Sequence, residues 1–131
     1  MPFSSLTAHA PRMLGVLRIV SATIFFAHGT QKILGFPASD TAPAVLSLPW
    51  IAGLMELVGG AMLILGFMTR PVAFLLSGLM AVAYWMAHAP RSPFPVLNGG
   101  DAAILYCFVF LYLVFAGPGA FSLDRANGRE S

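Results

Sequence analysis

The chain has 131 residues, 58% of them hydrophobic and 9% charged, with a formal net charge of +2. An ordinary soluble domain is roughly 25% charged, so composition excludes a soluble globular protein and points to a bilayer as the solvent. The few basic residues form no clustered surface and no recognition motif, which excludes a nucleic-acid partner.

The apolar residues fall in four blocks, 13–36, 48–68, 72–89 and 102–116. A helix needs about 20 apolar residues to cross the hydrocarbon core, with a range of roughly 17–25. Three blocks meet this, and the fourth is short unless flanking residues join it. The first block does not read as a cleaved signal peptide, because Arg18 interrupts it and Lys32 follows without a small-residue cleavage site. Between blocks, "PASDTAP" (37–43), Thr69-Arg70-Pro71 and "APRSPFPVLNGG" (89–100) gather the Pro, Gly, Ser and Asp that stop helices. Connections this short force neighbouring helices antiparallel. The expected fold is an all-α membrane protein, one transmembrane domain over residues 1–131. It is a four-transmembrane-helix antiparallel bundle with helices near 13–36, 48–68, 72–89 and 100–117. The twelve residues before it and the tail after Gly119 are too short to bury a core of their own.

Basic residues set the expected orientation. With four spans, Arg12, Arg70, Arg125 and Arg129 share one side, while Arg91 and Lys32 lie toward the other. Both termini are therefore expected in the cytoplasm, with the chain in a bacterial plasma membrane. Cys107, the single cysteine, lies inside the fourth block, forms no internal disulfide and reads as a small buried hydrophobe.

Steps of three and four residues keep helical side chains on one face. In the first span Arg18, Ser21, Phe25, His28 and Lys32 form such a stripe. Gly53, Glu56 and Gly60 form one in the second, with Gly59 beside them. Ser77, Ala81, Tyr84 and His88 align in the third, and Asp101, Leu105, Phe108 and Tyr112 in the fourth, with Tyr106 set aside as pointing elsewhere. Lipid cannot hydrogen-bond polar groups, so these stripes are expected to face one another. Counting along antiparallel spans places His28 and Glu56 about 8 residues, or ~12 Å, from the non-cytoplasmic end. Lys32, His88 and Asp101 lie nearer that end. Glu56 is the one ionisable residue of "IAGLMELVGGAMLILG" (51–66), and its expected partner is Arg18, His28 or Lys32. An ion pair that only fixes helix register competes with a ligand-binding or proton-handling site.

His28 and His88 differ in depth by roughly 6 residues, ~9 Å, a poor spacing for two axial ligands of one haem. A metal site built from His28, Glu56, His88 and Asp101 has suitable donors but no fixed-spacing motif, so no metal is assigned. Tyr84 and Trp85 read as interfacial anchors.

Several segments resemble the DoxX family of small four-helix membrane proteins. "FFAHGTQKILGF" (25–36) resembles the segment closing that family's first helix, and "ELVGGAMLILGFMTRPVA" (56–73) resembles its second helix and following turn. "NGGDAAILY" (98–106) and "GPGAFSLD" (117–124) resemble the start and end of its fourth helix. The resemblance runs in order from Arg18 to Asp124. By position, it carries the family's polar residues onto Arg18, His28, Gln31, Lys32, Glu56, Arg70, Asn98 and Asp101, the last standing where glutamate is commoner. With His88 from the stripe analysis, the candidate polar site comprises Arg18, His28, Gln31, Lys32, Glu56, His88, Asn98 and Asp101.

Some family members are associated with redox systems, including a thiosulfate:quinone oxidoreductase. The resemblance thus implies an accessory, non-catalytic subunit of a quinone- or thiol-linked redox system rather than an enzyme acting alone. Its expected partners are the lipid bilayer, a membrane or soluble oxidoreductase, and further copies of the chain. The sequence has no flavin, haem, iron–sulfur or nucleotide motif, so quinone is the cofactor to consider and a partner supplies the electrons. Two other functions compete: a carrier or channel for protons or a small solute, and a structural membrane scaffold.

Overall fold

The computed structural model describes residues 2–128. Arg129 and Ser131 lie outside the described residues. The order is a 3-10 helix (Pro2–His9), α1 (Ala10–Leu34), α2 (Leu48–Leu65), α3 (Thr69–Ala83) and α4 (Asp101–Ala116). The chain of α3 runs on through a π-helical turn, Tyr84–His88, and a 3-10 turn, Ala89–Arg91. Single helical turns at Pro95–Asn98 and Leu123–Ala126 complete the structure, and no strand occurs among the described residues.

Local chemistry explains the ends. Ser47 caps α2 by accepting from the Trp50 N–H at 3.4 Å, and Pro49 occupies a first-turn position where an N–H is dispensable. Gly66 ends α2 in the left-handed region at φ 69°, and the Phe67 N–H returns to the Met62 carbonyl at 2.9 Å. α1 begins at Ala10 and α3 at Thr69, each three residues before the expected bound, and the regular α-helix of α3 ends at Ala83, six residues short of the expected end, where the π-helical turn takes over.

The segments Phe3–Leu34, Leu48–Leu65 and Thr69–Arg91 are long and apolar enough to cross a membrane. α4 is as apolar but has 16 residues, about 24 Å of helix against a core of about 30 Å.

Contacts along the helices fix their directions. Lys32 meets Gly53 near one end of the α1–α2 pair, and Arg18 meets Leu63 near the other. Tyr84 meets Gly100, Ser77 Oγ donates to the Cys107 carbonyl at 2.8 Å, and Arg70 reaches Val114, so α3 and α4 also run antiparallel. The core is built from Ala22 and Phe25 of α1, Leu63 of α2, Val72, Ala73, Leu76 and Met80 of α3, and Ala103, Phe110 and Leu113 of α4. Edge-on packing of Phe25 against Phe110, with centroids 4.9 Å apart, joins α1 to α4.

Close approach of α1 and α2 depends on glycine. A Cβ on Gly29 would lie 2.8 Å from Leu57 Cα, and one on Gly60 would lie 3.0 Å from Phe26 Cα. Small residues at such a seam let two backbones touch where lipid supplies no hydrophobic drive for association.

Candidate functional site

The sequence-predicted polar residues divide into groups at opposite ends of the helices. At one end, Lys32 in the last turn of α1 faces Glu56 in the middle of α2. Its Nζ lies 3.1 Å from Oε1 and donates to Oε2 at 3.3 Å. Glu56 is 4% exposed, and Oε1 makes no hydrogen bond although the ammonium is close. The Lys32 side chain is 32% exposed. The glycine seam explains this placement: Gly53 packs against the Lys32 stem and Gly29 against the backbone at Glu56 and Leu57, which sets the two side chains side by side.

His28 lies within electrostatic range of Glu56, but on the exposed flank of α1, not its buried face. The buried face is Gly15, Arg18, Ala22, Phe25 and Gly29, so the expected stripe is rotated by about one position at His28 and Lys32.

Tyr106 was set aside on the sequence, and the structure corrects this. It packs edge-on to Phe25 at 5.2 Å and to His28 at 6.2 Å, and it lies within electrostatic range of Glu56. The expected inward stripe of Leu105, Phe108 and Tyr112 is instead the exposed face of α4. Ala103, Tyr106, Phe110 and Leu113 also follow steps of 3, 4 and 3. That spacing was the available signal, and it was as regular as the polar one.

Lys32 lines two cavities. One, of about 320 Å³, is the more polar of the two and is formed by Gln31, Lys32, Ser39, Thr41, Ala42, Pro43 and Pro49. The other, of about 450 Å³, is an apolar cleft between Leu48, Pro49, Ile51, Ala52 and Met55 of α2 and Leu79, Val82 and Ala83 of α3, also lined by Lys32, Met86 and Ala87. Its size is within the roughly 300–1,000 Å³ usual for small-molecule pockets. Glu56 lines neither cavity. The Lys32–Glu56 dipole therefore turns its positive end toward both.

Arg18 is not part of this group, which corrects the expectation that it might serve Glu56. Its guanidinium is fully buried, at 0% exposure. It donates to the Leu63 carbonyl at 2.9 Å, to Pro118, to Ala120 at 3.2 Å and to Phe121 at 2.6 Å. A planar fork of five donors suits such a ring of carbonyls. Nearby, buried Asp124 accepts from the N–H groups of Met68 and Thr69, each at 2.8 Å, and so caps α3 from the tail. Met68 adopts a left-handed φ of 51°, an unfavourable conformation for an L-residue that this contact holds in place. Arg70 donates to the Val114 and Phe115 carbonyls at the end of α4.

Asn98 and His88 form a third group. Asn98 is buried and donates to Tyr84 Oη at 3.0 Å and the Ser92 carbonyl at 2.9 Å, while its Oδ1 accepts from Gly100 N–H at 2.8 Å. His88 Nδ1 lies 3.0 Å from the Asn98 carbonyl. These bonds fold the connection into α4 and tie Tyr84 to it. Asp101 is exposed in the first turn of α4 and joins none of these groups. Among the described residues, no three His, Cys, Asp or Glu side chains converge to hold a metal ion.

The DoxX family model matches residues 13–89, a stretch holding nearly all of α1, α2, α3 and the Lys32–Glu56 pair. An uncharacterized protein of Haemophilus influenzae is 44% identical, covering 93% of this chain and 96% of its own. The inner membrane protein YphA of Escherichia coli is 33% identical over 90% of this chain and 92% of its own. CatD of Bacillus subtilis, provisionally named an oxidoreductase, is 25% identical over 88% of this chain and 92% of its own. No solved structure matches. With its apolar helices, a family match across more than half its length and an inner-membrane relative aligned almost end to end, this chain is an integral membrane protein and belongs to the DoxX family.

Proposed function

We propose that this protein is an accessory membrane component of a quinone-linked or thiol-linked redox system, with Lys32 as its ligand-contacting residue. The observation carrying this reading is the junction at Lys32, where one ammonium lines both a polar cavity and an apolar cleft. A quinone combines an apolar ring and tail with carbonyl acceptors, and the junction offers a complement to each part. The tail lies against Ile51, Met55, Val82 and Met86, and a carbonyl oxygen accepts from Lys32. Glu56 holds the ammonium from behind, and His28 and Tyr106 complete the surroundings in which protons are exchanged. An oxidoreductase partner supplies the electrons, and the provisional name of the Bacillus subtilis relative points the same way. In this reading α4 is a fourth, short span and both termini lie in the cytoplasm.

Reconstituted protein with short-chain quinones tests the proposal. Wild type is expected to bind quinone saturably, and Lys32→Met to weaken binding by about tenfold, the value of a hydrogen bond to a charged group. A wild type that neither binds quinone nor alters the activity of a co-purifying oxidoreductase would sink the redox reading.

A further inference from the structure

The polar cavity is rich in donors. Lys32 carries three N–H groups, and among the described residues Glu56 is its only hydrogen-bond acceptor. The Ser39 Oγ accepts from the Thr41 N–H at 3.3 Å, so its own O–H remains available. The Thr41 hydroxyl has no acceptor among the described residues. Asp40 between them is exposed and lines neither cavity. The buried carboxylate lies behind the ammonium, so an anion arriving from the cavity meets the positive end of the pair first. Beyond Lys32 and Pro49, which both spaces share, the surface becomes wholly apolar. This change from donors to hydrocarbon occurs at a helix end, where the span meets the headgroup region.

We propose that an acidic phospholipid of the surrounding bilayer occupies this junction. Its phosphate accepts from Lys32, Ser39 and Thr41, and one acyl chain lies in the cleft between α2 and α3. Charge-assisted hydrogen bonds to phosphate oxygens are the strong contacts, and the cleft orients the chain. A glycerol headgroup is preferred over choline because choline brings a second cation toward the ammonium. The inference does not depend on the redox reading. If both hold, lipid and quinone compete for the same ammonium, and the lipid is the resting occupant.

The test uses the full chain in nanodiscs of phosphatidylcholine doped with phosphatidylglycerol, without quinone, followed by native mass spectrometry of retained lipid. Wild type is expected to retain one phosphatidylglycerol with about tenfold preference over phosphatidylcholine. Lys32→Met and the double variant Ser39→Ala/Thr41→Ala should each reduce that preference severalfold. Met86→Trp should reduce retention of both lipids by filling the cleft, and Arg91→Met, elsewhere on the surface, should change neither. Equal retention of the two lipids by wild type overturns the proposal, as does an undiminished preference in folded Lys32→Met. Should Lys32→Met fail to fold, the loop double variant decides: a retained preference overturns the site and a lost one supports it. Because no quinone is present, failure here leaves the redox reading standing, and failure of quinone binding leaves this result unaffected.

Discussion

Lys32 Nζ lies 3.1 Å from Oε1 and 3.3 Å from Oε2 of Glu56, joining the last turn of α1 to the middle of α2. Removing Lys32 strands the buried Glu56 charge, whereas removing both members is milder. Glu56→Gln and Lys32→Met are therefore expected to be non-additive, with a coupling of about 1–3 kcal/mol. The corresponding cycle with Arg18→Met should be additive, since the hydrogen bonds of Arg18 go to carbonyls and the carboxylate in its electrostatic range is Asp124, not Glu56. Thermal unfolding in detergent measures both cycles. Strict additivity for Lys32 and Glu56 would show that the pair is energetically uncoupled.

Arg18 should be among the least replaceable residues. Arg18→Met leaves the buried Pro118 carbonyl without a donor and takes one of two donors from the Leu63 carbonyl, which still accepts from the Gly66 N–H at 3.1 Å, and the expected loss is about 3 kcal/mol or more. Arg18→Lys should recover little of it, because one point-like ammonium cannot serve carbonyls spread around a planar fork. A lysine variant as stable as wild type would contradict this account of the tail contacts.

Two glycines give opposite expectations. Gly29→Ala places a methyl group against the Leu57 backbone and should cost about 1–3 kcal/mol through separation of α1 and α2. Gly78→Ala meets nothing within 4 Å and should change stability by no more than about 1 kcal/mol, toward greater helix stability. Paired melting curves in one detergent decide this, and equal effects would mean that the seam is looser than its geometry.

Topology is testable by labelling. In a Cys107→Ala background, cysteines at Asp40 and Ser92 should react with an impermeant thiol reagent in intact cells, while those at Ser5 and Ser131 should react only after lysis. Four of the five loop and tail arginines, Arg12, Arg70, Arg125 and Arg129, fall on the protected side. The reverse labelling pattern would invert the orientation. Asp40 is the more informative outer position because it is exposed, whereas Ser92 is half-buried and engaged with Phe94 and Asn98.

Within the candidate site, the sequence identified the residue types more readily than their grouping. Lys32 and Glu56 stood out because ionisable groups in apolar helices demand partners, whereas Gln31 entered only through the family resemblance. The three possible cations for Glu56 could not be separated, since Arg18, His28 and Lys32 recur on the same approximate face. Tyr106 was missed for a related reason: two stripes of α4 had equal periodicity, and only the packing of Phe110 and Leu113 against the core chose between them. The role of Asp124 had no local signature at all, because its two acceptors serve N–H groups more than fifty residues away.

Composition and the spacing of Pro and Gly were enough to determine the solvent, the helical class and the approximate ends of each helix. These follow from local rules: the length of chain that crosses hydrocarbon, the need to satisfy every backbone group, and the residues that end a helix. Tertiary structure decided which polar groups meet. It sent Arg18 to the tail carbonyls, Asn98 to the connection before α4, and Lys32 alone to Glu56. That choice depends on helix rotation and on where glycine lets two backbones touch, and a rotation of one residue's worth, about 100°, reassigns every partner without altering the sequence pattern.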